Sequence, residues 1–212
     1  LFLLIYKDKL HLILGFSAGA VIGVAFFDLI PESIELSQGI YDISTITLLV
    51  ALGFITYMIL DRTIFFHSHN DENDHDEHNK RGLLGALSLS IHSLLDGIAI
   101  GLAFQVSISV GSIVTLAVLV HDFSDGLNTV NMILKNNGTR TKAFKWLIVD
   151  AIAPVIGIIS TLFFTLSGNI LCIILSLFAG SFLYIGASDL LPESHHNHPT
   201  IWTTVSTVAG IL

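Results

Sequence analysis

Apolar residues in this chain come in long unbroken runs separated by short polar breaks. Six runs are long enough to cross a bilayer as a helix: residues 10–29, 43–60, 83–104, 109–134, 143–166 and 170–191. A spanning helix needs about 20 mostly apolar residues. Two shorter runs, residues 1–6 and 201–212, lie at the chain's ends and read as the tail of an earlier span and the start of a last one. Backbone groups in lipid must bond within the protein, which leaves helices or a closed barrel. The runs are too long and too continuous for barrel strands, whose faces alternate over about ten residues. The pattern therefore predicts an all-α, polytopic transmembrane helix bundle: a single domain over residues 1–212, with six complete and two partial spans. The chain does not open on Met, so it reads as part of a longer protein with about eight spans.

Composition excludes the main alternative, a soluble bundle with a very apolar core. The chain is 52% hydrophobic and only 12% charged, against about 25% charged residues in soluble domains. Its mean hydropathy is +0.78. The net charge of −8 comes largely from one connection, and nothing in it suggests a nucleic-acid partner. The single cysteine, Cys172, lies in an apolar run. No disulfide framework or thiolate-rich site can be built from it, so any metal must be held by imidazole and carboxylate.

All nine Lys and Arg fall in alternate connections: Lys7 and Lys9; Arg62, Lys80 and Arg81; Lys135, Arg140, Lys142 and Lys145. The positive-inside rule puts these connections in the cytoplasm and the native termini outside. The long connection, residues 62–81, holds His67, His69, His75 and His78 among five acidic residues. Its composition predicts a disordered cytoplasmic loop, read either as a weak metal-catching segment or as a solvated acidic linker.

Two six-residue stretches nearly repeat: Asp28-Leu29-Ile30-Pro31-Glu32-Ser33 and Asp189-Leu190-Leu191-Pro192-Glu193-Ser194. Each is expected to end a span. Five crossings separate them, so they face opposite sides of the membrane, as an inverted repeat requires. A shared proline helix-stop is the plainer reading. The first span also places Gly15, Gly19 and Gly23 on one face, a pattern for close helix contact.

The chemistry lies at mid-span. Ionisable groups are costly at the bilayer centre and are functional candidates there. One span holds His92-Ser93-Leu94-Leu95-Asp96-Gly97 and the next holds His121-Asp122-Phe123-Ser124-Asp125-Gly126, both H-x-x-x-D-G. Residues four apart share a helix face, so His92 and Asp96 point the same way, as do His121 and Asp125. A short outside connection makes the two spans antiparallel neighbours. Asn128 lies one turn beyond Asp125, and the following span adds Asp150 and Pro154. One such motif could be an interhelical hydrogen bond, a proton relay or an ion pair. Two at matched depth favour a metal, and the number of ligands allows two ions sharing a carboxylate. Imidazole with carboxylate suits Zn, Fe, Mn, Co or Ni rather than Cu(I). The H-E-x-x-H of metalloproteases does not occur, which disfavours an intramembrane metalloenzyme. A proton-driven exporter and a non-transporting metal sensor remain as rivals.

These residues resemble the ZIP family of divalent metal-ion transporters. The resemblance is carried by Phe16-Ser17-Ala18-Gly19-Ala20, the His-rich connection, HSLLDGIAIG from His92 to Gly101, HDFSDG from His121 to Gly126, and FAGSFLYIGASDLLPE from Phe178 to Glu193. It implies eight spans, a plasma or inner cell membrane, a homodimer, no enzymatic activity, and transport toward the cytoplasm of Zn2+, with Fe2+, Mn2+ and Cd2+ as alternatives. It also implies a two-metal centre. His92, Asp96 and Asp125 would hold the first ion; Asp122, with Asp96 and Asp125 bridging, would serve the second, and His121 would contribute. Ser93 stands where many members carry Asn, Asp96 and Asp125 where many bacterial members carry Glu, and Ala153 where a Glu often precedes the proline.

Overall fold

The computed structural model describes residues 7–66, 75–195 and 200–212. All regular structure among them is helical: α1 (Lys7–Val24), a π-turn (Ala25–Leu29), α2 (Ile30–Leu36), α3 (Ile43–Phe66), α4 (His75–Val106), α5 (Ile108–Lys135), α6 (Arg140–Thr161), α7 (Gly168–Tyr184), a second π-turn (Ile185–Leu190), α8 (Leu191–His195) and α9 (Ile201–Ile211). Six of the resulting segments are long and apolar enough to cross a membrane, and α9 is a shorter apolar helix. The expected partial span 1–6 lies outside the described residues.

Polar residues next to the apolar runs set the helix starts. Ser107 is extended and accepts from the Val110 amide, so α5 begins one residue after α4 ends. Thr139 caps α6 through the Lys142 amide, and Thr200 caps α9 through the Thr203 amide. Asp42 caps α3 by accepting from the amide and hydroxyl of Thr45, and these bonds hold its exposed carboxyl below the ordinary carboxylate range. Each side chain satisfies a backbone donor that a helix start leaves without a partner.

Three boundaries differ from expectation. The first proline motif does not end its helix, whereas the second closes its span at Ser194, as expected. Each follows or overlaps a π-turn, and the chain continues helical to Leu36 in one case and His195 in the other. Pro31 occupies the first turn of α2, where a missing N–H costs least. A wide turn just before it absorbs the bond that proline cannot make. The connection expected over residues 62–81 is helical at both ends, with α3 running to Phe66 and α4 starting at His75; its centre, including His67 and His69, lies outside the described residues. The span expected over 143–166 ends earlier, at Thr161, where Leu162 caps the helix.

Packing divides into three associations: α4 with α5 and α6, α3 with α7, and α1 with α9. Each depends on backbones in near contact. A Cβ on Gly97 would strike the Pro154 carbonyl of α6, and one on Gly157 would strike the Leu94 carbonyl of α4. The glycine row of α1 meets α9, with the Thr207 carbonyl against Gly19 and the Phe16 carbonyl against Gly210. In lipid, helices gain little from the hydrophobic effect, and close packing of small residues is what holds them. Around this frame one apolar core joins α1, α4, α5 and α7 through Val21, Leu29, Ile100, Val114, Val118 and Phe182.

Gly157→Val places a β-carbon bearing two methyl groups against the α4 backbone, where neither side can yield by a rotamer change. It is expected to destabilise the protein by about 1–3 kcal/mol or more, read as a lowered unfolding midpoint of the detergent-solubilised protein. An unchanged midpoint would mean that α4 and α6 do not meet at this point.

Candidate metal centre

The one-residue break at Ser107 makes α4 and α5 antiparallel neighbours and sets their register. His92 lies fifteen residues before Ser107 and His121 fourteen after it, which puts both at one depth. The faces predicted from the four-residue spacing then meet. Asp96 Oδ2 lies 3.2 Å from Nε2 of His92 and 3.0 Å from Nε2 of His121. Asp125 Oδ2 is 3.7 Å from Nε2 of His92, and Asp122 Oδ1 is 3.8 Å from Nε2 of His121. Two ligand atoms of one tetrahedral zinc lie about 3.3–3.6 Å apart when each bond is about 2.0–2.2 Å. The contacts bracket that distance. His92, His121 and Asp125 form one converging group, and Asp96, His121 and Asp122 another.

Hydrogen bonding fixes which atoms face the centre. His121 is wholly buried, and its Nδ1 lies 3.1 Å from the Ala117 carbonyl, which can only accept. Nδ1 therefore carries the proton, and a neutral His121 presents a lone pair at Nε2. His92 Nδ1 is likewise engaged, 3.2 Å from the Tyr57 hydroxyl. Asp96 Oδ2 thus sits between two Nε2 atoms, and must be held there by protons on them or by a cation. Asp122 Oδ1 and Asp125 Oδ2 are buried with no hydrogen-bond partner. An unpartnered buried carboxylate oxygen is expensive. Protonating both imidazoles still leaves two carboxylate oxygens without a donor. A divalent cation among these atoms would offset the carboxylate charge and use both imidazole lone pairs.

Asp150 and Asn128 take different places. Both oxygens of Asp150 accept hydroxyls, from Ser93 at 2.9 Å and from Thr129 at 3.2 Å, and Asp150 is in neither converging group. Asn128 lines a cavity beside Asp125 and His92.

That cavity, of about 640 Å³, leads from His92 and Asp125 past Tyr57, Asp61, Met132, Asp189 and Glu193. It lies toward the ends of α3, α4 and α5 that carry Arg62, Arg81 and Lys135. Toward the other end of the bundle, Val114, Val118, Ile100, Val21 and Phe182 close over the centre as a dry core. Asp28 lines a separate cavity between α1, α5 and α9, together with Phe16 and Phe27. Sequence reasoning missed Tyr57 and Asp61. The available signal was a Tyr and an Asp, one turn apart, in the last part of an apolar run.

Comparison with known proteins agrees with this chemistry. The family model described as ZIP Zinc transporter matches residues 67–212. Zinc transporter YKE4 of Saccharomyces cerevisiae is 26% identical over 89% of this chain and 62% of its own length. Zinc transporter zipt-7.1 of Caenorhabditis briggsae is 23% identical over 87% of this chain and 62% of its own length. Human zinc transporter ZIP10 is 34% identical over 50% of this chain, but over only 13% of its own length. The chain thus spans under two thirds of the length of these relatives.

His121→Ala and Asp96→Asn each remove a group that touches the centre. Each is expected to weaken zinc binding by at least about tenfold, or about 1.4 kcal/mol, by titration calorimetry of the purified protein. Asp150→Asn, whose oxygens are already taken by hydroxyls, is expected to have a smaller effect. The opposite ranking would move the ion to the Ser93–Asp150 side of the helices.

Proposed function

We propose that this chain, which belongs to the ZIP zinc transporter family, carries divalent transition-metal ions across a membrane toward the cytoplasm, with zinc as the foremost substrate and Fe2+, Mn2+ and Cd2+ as further candidates. One observation carries the reading: two imidazole Nε2 atoms and three carboxylates converge at one depth, and two of the carboxylate oxygens have no donor. The charge and lone pairs assembled there match a divalent ion of borderline softness. The relatives are named as transporters, which favours transport over an intramembrane metalloenzyme.

The chain's own residues suggest a sequence of events. Asp28 and Glu32 stand at the end of the bundle without Lys or Arg, the outside face by the positive-inside rule. An ion held by His92, Asp96, His121, Asp122 and Asp125 faces the cavity only through His92 and Asp125, which are 12% and 13% exposed. Asp61, Asp189 and Glu193 line the way out, and carboxylates spaced along it would pass a cation between weak sites toward the cytoplasm. The dry core opposite must open for loading. Alternating access through an inverted repeat offers a route, and the two proline motifs, each joined to a π-turn, support such a repeat. Membership of this family also favours a homodimer in the cell membrane.

The test is flux. Reconstituted in liposomes with a trapped zinc dye, the protein is expected to admit zinc, while folded His92→Ala and Asp125→Ala variants lower the rate at least about tenfold. Equal flux in all three proteins would place the pathway elsewhere, and no flux of any divalent metal by the wild type would sink the transport reading.

A further inference from the structure

The two imidazoles of the centre are held in different ways. His121 is oriented by its own helix, through the Ala117 carbonyl four residues back. His92 has no such bond to its own helix among the described contacts. Its Nδ1 partner is Tyr57, which stands on α3. That helix packs along α7 and touches α4 only slightly. His92 therefore borrows its orientation from across the line that divides α3 and α7 from α4, α5 and α6.

The α3 partner is itself braced. The Tyr57 ring meets the His92 ring edge-on, with centroids 5.2 Å apart and planes at 69°. Behind it lies the ring of Tyr184, at 5.5 Å. The Tyr184 hydroxyl donates to Asp61 at 3.0 Å, and its ring meets Phe54 edge-on at 5.3 Å. Phe182, also on α7, meets the His121 ring edge-on at 6.0 Å. An aromatic wall supplied by α3 and α7 thus stands against both imidazoles, but only Tyr57 has a hydroxyl bonded to one.

We propose that Tyr57 is a positioning residue for the metal centre: its hydroxyl oxygen accepts the Nδ1–H of His92, which keeps the Nε2 lone pair on the side of Asp96 and Asp125. This rests on the metal-site reading above and adds a residue to it. A neutral imidazole that ligates through Nε2 must carry its proton on Nδ1, and an acceptor at Nδ1 selects that tautomer and fixes the ring plane. Because the acceptor sits on the other group of helices, the quality of His92 as a ligand depends on how the two groups stand against each other. Separating α3 from α4 by a few ångströms would leave His92 free to turn or to move its proton to Nε2, while His121 would keep its own orienter. The centre then binds metal more tightly in the juxtaposition seen here than in one where Tyr57 has withdrawn.

The test is Tyr57→Phe, which keeps the ring and its packing and removes only the hydroxyl. Zinc affinity of the full-length protein, measured by competition with a chromophoric chelator, is expected to fall about 10–100-fold, the usual effect of losing a partner that orients a metal ligand. In imidazole 15N spectra, the His92 signal is identified by its absence in His92→Ala. It is expected to report a single Nδ1–H tautomer in the zinc-loaded wild type, and a mixture of tautomers in Tyr57→Phe at the same zinc concentration. Wild-type affinity in Tyr57→Phe would overturn the proposal. So would weakened affinity with the His92 tautomer unchanged, since that would mark a purely structural loss. A wild type that binds no zinc at all would instead remove the metal-site reading, which distinguishes the two failures.

Discussion

Asp96 sets the terms for the rest of the bundle. Its carboxylate is 3% exposed and lies within hydrogen-bond reach of two imidazole nitrogens. One of those imidazoles has already committed its other proton to a backbone carbonyl. A buried carboxylate without compensation would move toward its neutral form or draw in water or a cation. Here two more aspartates crowd the same space, each with an oxygen that no donor reaches. Hydroxyls could have quieted these groups, and the fold uses that solution one turn away, where Ser93 and Thr129 satisfy Asp150. Its absence at Asp122 and Asp125 sets these carboxylates apart from Asp150, whose oxygens are closed on hydroxyls.

Asp96 depends on a helix that cannot drift, and the glycines of the α4–α6 crossing provide this. Where α4 crosses α6, backbone meets backbone at Gly97 and Gly157. The crossing lies one residue from Asp96 and one turn from Asp150. Gly97 thus both completes the H-x-x-x-D-G motif and allows the contact that steadies it. Pro154 sits at the same crossing and removes the donor that the Asp150 carbonyl would otherwise receive within α6. Ligand placement and helix packing are consequently not separable by mutation at these positions.

Much of this was legible in the sequence because it follows from local spacing. The apolar runs gave the helices. The four-residue interval gave the shared face of His92 and Asp96. The symmetric distances from Ser107 gave the common depth of the two motifs. What could not be read is what depends on a third helix or on a departure from regular geometry. Asp150 looked like a candidate ligand beside His92, yet its partners, Ser93 and Thr129, are named only by the crossing of α4, α5 and α6. The first proline motif looked like a helix end because proline usually is one; a π-turn before it lets the helix run on to Leu36, and no residue pattern announces that turn. Tyr57 gave no signal beyond a polar tip in an apolar run, since its partner is thirty-five residues away on a helix that barely touches its own.

The surroundings of the centre differ on its two sides, and this bears on how an ion could be passed rather than merely bound. On one side the side chains of Val114, Val118, Ile100 and Phe182 offer no oxygen or nitrogen ligand. On the other, His92 and Asp125 open onto a cavity with Asp61, Asp189 and Glu193 along it. An ion at the centre has lower electrostatic cost moving toward that cavity than toward the dry core, because each step offers oxygen ligands where the core offers none. In the proposed transport cycle, the arrangement seen here therefore faces the side that holds the cavity. In that cycle, loading would require the apolar core to part, by movement of α1 and α7 relative to α4 and α5, and α7 belongs to the group that Tyr57 joins to His92. Access to the centre and the orientation of one of its imidazoles then change together.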